Sequence, residues 1–166
     1  TKIFLDFGMS LTSKKQYYSM PFLTPRNAES LLELGILPKI DGIYNFDEKT
    51  RSVDGVLLTH SHADHAAYIS FLKRSIPIYC GETTATILKA SSETQAGRFE
   101  YDLKGIEFKT FRTGNRLHID QLEVEPIHVD HSCPGAYGFL IYTSTGTIVY
   151  TGDFRLHGSK PEMSRE

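Results

Sequence analysis

The 166-residue chain is long enough for one domain or for one lobe of a larger domain. Hydrophobic residues make up 40% of the sequence and charged residues 23%, which is typical of a soluble globular protein, and no apolar run reaches the roughly 20 residues that a membrane-spanning helix needs. The formal net charge of −2 lacks the excess of Lys and Arg that is typical of nucleic-acid-binding domains. Two cysteines are too few for a disulfide framework and predict reduced thiols in a cytoplasmic protein.

The first half of the chain predicts strands that alternate with helices. The N-terminal strand spans residues 2–7, and the polar and aromatic residues 9–24 predict a loop. A helix follows, because Thr24 can cap its N-terminus, Pro25 suits its first turn and Gly35 can end it. The remaining elements of this half are a buried strand at 53–59, a helical stretch after Asp64, a strand at 76–79 and a helix at 83–90.

The second half of the chain is rich in strands. They are predicted at residues 107–111, 122–129, 136–142 and 147–150, with a hairpin turn at 144–146. This order of elements predicts an α/β architecture in which helices cover a mixed sheet. A sheet whose last strand ends just before Asp153 would leave an edge and a face uncovered, so we expect a fragment or one half of a two-lobed domain.

The strongest chemical signal is the sequence His60-Ser61-His62-Ala63-Asp64-His65, which follows the buried strand at 53–59. Imidazole and carboxylate groups are good ligands for zinc, and less often for iron or manganese. In extended chain, residues i and i+2 point the same way, so His60 and His62 can bind one ion. Asp64 and His65 lie where the chain turns into the next helix and can reach a second ion. The alternative is a solvated His-rich turn that binds no metal.

Further ligands must come from elsewhere in the chain, and two positions beyond strand ends qualify. His131 stands in the sequence Val-Asp-His-Ser-Cys-Pro-Gly, and Asp153 stands in Thr-Gly-Asp-Phe. Taken alone, each could be an ordinary structural or turn residue. Cys133 offers a thiol near His131, although its position does not require it to be a ligand. The remaining histidines have no assigned role and are interpreted as structural or exposed: His118, His128 and His157.

These motifs together resemble the metallo-β-lactamase superfamily, whose fold is an αββα sandwich. The resemblance rests on the His-x-His-x-Asp-His cluster, then His131, then Asp153, in this order, and on the first strand ending in Leu-Asp-Phe-Gly. The surrounding sequences, DHSCPGAYGFLI and YTGDFRLHG, are similar to the β-CASP branch and, within it, to ribonuclease J. The chain is therefore expected to contain mainly the first αβ half of this fold.

The resemblance implies a role for each candidate residue. His60, His62 and His131 hold a first zinc ion, Asp64 and His65 hold a second, Asp153 bridges the two ions, and Asp6 orients a ligand imidazole by accepting a hydrogen bond. The family takes one more His from beyond the fourth motif and carries an inserted β-CASP domain. Neither can be placed in this sequence, so residues 1–166 are predicted to be the N-terminal part of the domain, which by itself has little or no activity.

The implied function is zinc-dependent hydrolysis of RNA phosphodiester bonds by a hydroxide held between two ions, with Asp64 and Asp153 as the catalytic residues. RNA is then the expected substrate, and a homo-oligomer is compatible with the sequence. Two alternatives stay open: another hydrolase on the same fold, such as a glyoxalase-like thioesterase or a small-molecule phosphodiesterase, and a metal-binding scaffold without catalysis. The acidic balance favours a small molecule, whereas the sequences around His131 and Asp153 favour RNA. Three aromatic residues in the predicted loop, Tyr17, Tyr18 and Phe22, could stack on bases, but a packed or exposed surface loop is the favoured interpretation.

Overall fold

The computed structural model of the protein describes residues 1–19 and 22–165, and these form two four-stranded sheets. The first sheet is parallel and contains β1 (Ile3–Leu5), β2 (Gly55–Leu58), β3 (Ile78–Gly81) and β4 (Phe108–Phe111), in this order. The second sheet is antiparallel and contains β5 (Leu117–Ile119), β6 (Leu122–His128), β7 (Tyr137–Thr143) and β8 (Gly146–Tyr150), also in this order. The α/β prediction is confirmed, but the single mixed sheet is wrong.

The two sheets pack face to face, with helices on the outer face of the parallel sheet. Along β2, Leu57 belongs to the apolar cluster between the sheets, whereas Val56 and Leu58 belong to the cluster beneath the helices. Side chains alternate across a strand, so a run that is apolar at every position can line two cores at once. This explains why β2 is fully buried, and a buried strand is a rigid support for the residues that follow it.

The helices are α1 (Leu11–Tyr17), α2 (Ala28–Glu33), α3 (Ala63–Ala66) and α4 (Glu82–Thr94). In the part of the chain that the structure describes, three 3-10 helices span Ala67–Phe71, Phe99–Tyr101 and Pro161–Ser164. Every helix within the described residues is too short or too polar to cross a bilayer.

Three predicted elements need correction, and one strand was missed. Residues 9–24 are not simply a loop: Ser10 caps α1 by accepting a hydrogen bond from the Ser13 amide, and residues 20 and 21 lie outside the described residues. Helix α2 begins after Asn27, whose side chain caps it, and not after Thr24. Helix α4 extends four residues beyond the predicted end at residue 90. Strand β5 was missed because it has only three residues before the turn at Asp120.

Candidate metal centre

The candidate residues gather where β1 and β2 end. The first residue after β1, Asp6, lies beside the first residue after β2, Thr59, because the two strands are parallel and in register. Gly8 lies against the backbone of Asp64, where a Cβ atom would stand 1.8 Å from the carbonyl oxygen. The Asp-Phe-Gly sequence therefore allows the chain after β1 to pack directly on the start of α3.

Three imidazoles from two distant stretches of the chain face one another. The His60 Nε2 atom lies 3.0 Å from His62 Nδ1, and His131 Nε2 lies 3.2 Å from the same nitrogen. One nitrogen from each ring lies within 4.8 Å of the others. In a tetrahedral zinc site with bonds of about 2.05 Å, the ligand nitrogens lie roughly 3.3 Å apart. The spacing and the chemistry of these donors therefore fit a divalent metal ion.

A second group combines His60 and His65 with Asp153, again with ligand atoms within 4.8 Å of one another. The His65 Nε2 atom is 3.4 Å from the Asp153 carboxylate, which is also 3.8 Å from His131 Nε2. Asp153 thus belongs to the second group and also lies close to His131 of the first. The Asp64 carboxylate, 3.9 Å from His65 Nε2, is exposed and belongs to neither group.

Asp6 connects these groups to both sheets. Its carboxylate accepts hydrogen bonds from the Thr59 amide at 2.7 Å, from the Thr59 hydroxyl at 2.9 Å and from the Tyr150 hydroxyl at 2.9 Å. It also lies 2.8 Å from His65 Nδ1, and this contact raises the pKa of the imidazole. With Nδ1–H donating to Asp6, the lone pair on His65 Nε2 is left to face Asp153.

Burial keeps the central imidazole neutral. His60 is fully buried, and burial in the first place, together with the neighbouring imidazoles, lowers its pKa to about 4. The pKa of His131 is also lowered, first by burial and then by the nearby His62. A neutral imidazole has a free lone pair, so both side chains are suitable ligands at neutral pH.

The other candidates lie outside the two groups. The Cys133 thiol is buried and lies 3.0 Å from the Ser61 hydroxyl. His128 stacks on Tyr137 with ring centroids 4.9 Å apart, whereas His118 and His157 are exposed.

Two further residues at the site, Thr59 and Tyr150, escaped the sequence analysis. The Thr59 hydroxyl contacts both Asp6 and His60 Nδ1, at 2.9 Å in each case. The only available signals were the position of Thr59 directly before the His cluster and the position of Tyr150 three residues before Asp153. Neither position predicts a contact with Asp6, which is more than 50 residues away from both.

Comparison with known proteins identifies the family. Residues 44–165 match the family model described as the beta-lactamase superfamily domain. The chain belongs to the metallo-β-lactamase superfamily. This confirms the resemblance read from the motifs, and superfamily membership together with the His/Asp groups implies binding of divalent metal.

Several ribonucleases J are similar in sequence to this metallo-β-lactamase-family chain. Ribonuclease J of Sinorhizobium meliloti is 31% identical over 111 residues, which cover 66% of this chain and 19% of the relative. Ribonuclease J of Mycobacterium tuberculosis is 28% identical over 143 residues, which cover 84% of this chain and 24% of the relative. The chain therefore spans about a fifth to a quarter of the length of these relatives.

Solved structures agree on the fold. A protein of unknown function from Enterococcus faecalis V583 superposes with a TM-score of 0.77 and 25% identity, covering 98% of this chain and 40% of that protein. A metallo-beta-lactamase candidate from Thermotoga maritima has a TM-score of 0.51 and 23% identity, covering 91% of this chain and 62% of that protein. The predicted metallo-β-lactamase fold, present as a partial αββα sandwich, is confirmed.

Proposed function

We propose that this chain forms the metal-binding part of a zinc-dependent ribonuclease that hydrolyses RNA phosphodiester bonds. The observation that carries the proposal is the convergence of His60, His62 and His131 from segments about 70 residues apart. The ribonuclease J relatives support RNA as the substrate. An imidazole-rich donor set favours zinc over the alternatives, manganese and iron.

The proposed roles follow from the positions of the side chains. His60, His62 and His131 would hold one ion, and His65 with Asp64 would serve a second, with Asp153 between them. Divalent ions at such a site supply Lewis acidity toward a phosphodiester and lower the pKa of water. The exposed Asp64 carboxylate is free to orient an attacking water, and Asp6 keeps the His65 imidazole in the tautomer that a ligand needs.

The extent of the domain is part of the same proposal. Residues 1–166 would be the N-terminal part of a metallo-β-lactamase-like domain, in which an inserted β-CASP domain and a late His ligand come from elsewhere. A cytoplasmic location is proposed from the two free cysteines, Cys80 and Cys133. Assembly into a homo-oligomer stays a prediction.

The test is metal analysis of the full-length protein combined with its cleavage of 5′-monophosphorylated RNA. His62→Ala should lower the zinc bound per chain and abolish cleavage, because its Nδ1 atom faces both His60 and His131. His118→Ala, at an exposed position on β5, is the matched control and should change neither quantity. An unchanged zinc content in His62→Ala would exclude the assignment.

Asp153→Asn tests the second group separately. The Asp153 side chain is 47% exposed, so the substitution should leave the melting temperature nearly unchanged while it lowers the metal content and activity. A fully active, fully metallated variant would remove Asp153 from the site.

Two alternatives have distinct outcomes. The net charge of −2 favours a small substrate over RNA. Hydrolysis of a small phosphodiester or a thioester without RNA cleavage would assign the site to that class. Stable zinc binding without any hydrolysis would assign it to a metal-binding scaffold.

A further inference from the structure

The buried carboxylate of Asp130 links the segment that carries His131 to the segment that carries Asp153. Asp130 directly precedes His131, and its side chain is only 7% exposed. One carboxylate oxygen accepts a hydrogen bond from Arg155 Nη2 at 3.2 Å, and the other accepts one from the Lys160 amide at 3.3 Å. Both donors lie in the segment that follows Asp153.

The backbone of Asp130 makes two more contacts with the same segment. Its carbonyl accepts a hydrogen bond from the Arg155 amide at 2.9 Å, and its amide donates to the Ser164 hydroxyl at 2.8 Å. Residues 155–164 therefore wrap around Asp130. All four contacts join positions at least 25 residues apart, so they fix the two segments relative to each other.

The packing around this pair leaves no spare volume. A Cβ atom on Gly158 would lie 1.9 Å from Asp130 Oδ2 and 2.1 Å from Arg155 Nε. Residue 158 must therefore be glycine for the carboxylate and the guanidinium to keep this arrangement. The Arg155 Nε atom is buried and makes no hydrogen bond with the described residues, so Nη2 alone carries the contact with Asp130.

Charge supports the same interpretation. A buried carboxylate is costly unless it is paired, and the Asp130 carboxylate is paired with the Arg155 guanidinium at 3.2 Å. Exposed ion pairs fix the positions of their side chains only weakly, because water competes for both partners. The Asp130–Arg155 pair is shielded on the carboxylate side, and it lies directly beside the candidate ligands.

We propose that Asp130 and Arg155 are positioning residues that set the separation of His131 from Asp153 and thereby the affinity of the site for divalent metal. This proposal rests on the metal centre proposed above. His131 and Asp153 lie on separate segments, 3.8 Å apart at their nearest ligand atoms. The distance between these two side chains depends on the contacts that hold the two segments together, and the hydrogen bonds of Asp130 with residues 155–164 are contacts of this kind.

The experiment measures zinc affinity by competition with a chelating dye, in the full chain, for three variants. Asp130→Asn and Arg155→Gln should each weaken zinc binding by about 10- to 100-fold, the range found when residues that orient metal ligands are removed. Arg155→Lys should recover most of the affinity, because a single donor carries the contact. Arg116→Gln, which breaks an exposed ion pair with Glu123 on the second sheet, is the control and should bind as the wild type.

A further variant and a metal-free measurement guard against simple misfolding. Gly158→Ala keeps both charges but forces the pair apart, so it should weaken zinc binding to a similar extent. In the metal-free protein, Asp130→Asn should speed amide hydrogen exchange in residues 154–165 while exchange in β2 and β3 stays slow. Loss of protection throughout the chain would instead show a general structural role and overturn the proposal.

The remaining outcomes separate this proposal from the one on which it rests. A wild-type chain that binds no zinc would exclude the metal centre itself. Zinc binding by the wild type, with equal affinity in Asp130→Asn and Gly158→Ala, would exclude only the positioning role. Unchanged zinc affinity in Arg155→Gln combined with a raised KM for RNA would make Arg155 a substrate contact instead.

Discussion

Asp6 is the residue on which the geometry around His65 depends most directly. Its backbone has a φ of 61°, in the left-handed region that costs about 1 kcal/mol for a residue other than glycine. In this conformation the carboxylate reaches Thr59, His65 and Tyr150 at once. The four hydrogen bonds offset the conformational cost, and they tie the end of β1 to the last strand of the second sheet.

Tyr150→Phe tests this connection. The substitution removes one donor from a buried carboxylate without changing the shape of the ring, so we expect the free energy of unfolding to fall by about 1–2 kcal/mol. Urea denaturation monitored by circular dichroism measures the change. Tyr142→Phe is the matched control, because its hydroxyl donates to the more exposed Glu125 and should matter less. Equal losses in the two variants would contradict a special role for the contact with Asp6.

At the scale of elements, a buried ion pair holds helix α1 to the rest of the molecule. The Lys14 ammonium contacts the carboxylate of Glu100, and the two side chains are only 13% and 6% exposed. Arg98 Nη2 lies 3.8 Å from the other oxygen of the same carboxylate. The sequence of residues 9–24 is polar and charged, and it therefore predicted a loop. The ion pair could not be foreseen from this segment, because the partner of Lys14 is 86 residues away.

Lys14→Ala should therefore lower the free energy of unfolding by about 3 kcal/mol, because it leaves the Glu100 carboxylate buried without its main partner. Because Arg98 still lies beside the Glu100 carboxylate, we expect a loss of stability at the lower end of the range for buried ion pairs. The neighbouring Lys15 is exposed, so Lys15→Ala should change the stability little. Comparable effects in the two variants, measured by thermal and urea unfolding, would mean that the ion pair does not hold α1.

At the scale of the whole molecule, the parallel sheet lies between two apolar clusters, and Cys80 on β3 lies in the cluster beneath the helices. Burial raises the pKa of the Cys80 thiol to about 12. In an unfolded chain the pKa of a cysteine thiol is about 8.5. Between these two values the unfolded state loses a proton that the folded state keeps.

The folded protein should thus lose stability as the pH rises above about 8.5. In this range only the folded state keeps the thiol proton, so the free energy of unfolding falls as the pH rises. The contribution of Cys80 reaches about 1.4 kcal/mol per pH unit. Cys80→Ser removes the titrating thiol, so the difference between the two unfolding curves from pH 8 to 11 isolates it. Parallel curves would show that the Cys80 thiol is not buried as described.

The sequence by itself determined the candidate ligands and, of the eight strands in the described residues, all but β5 with their approximate limits. Runs such as residues 53–59 are apolar at every position, and His60, His62, Asp64 and His65 lie within six residues of one another. Periodicity and spacing of this kind are local properties, which the sequence displays directly. The superfamily follows from the same motifs, and the comparison with known proteins confirms it.

Only the tertiary structure decided which residues meet. The separation of the strands into two sheets depends on pairing between distant segments, as do the contacts of Tyr150 with Asp6 and of Arg155 with Asp130. Contacts of this kind leave no pattern in a single sequence, because either partner alone looks like an ordinary surface residue. The physical reason is that local propensity acts over a few neighbouring residues, whereas burial and pairing depend on the path of the whole chain.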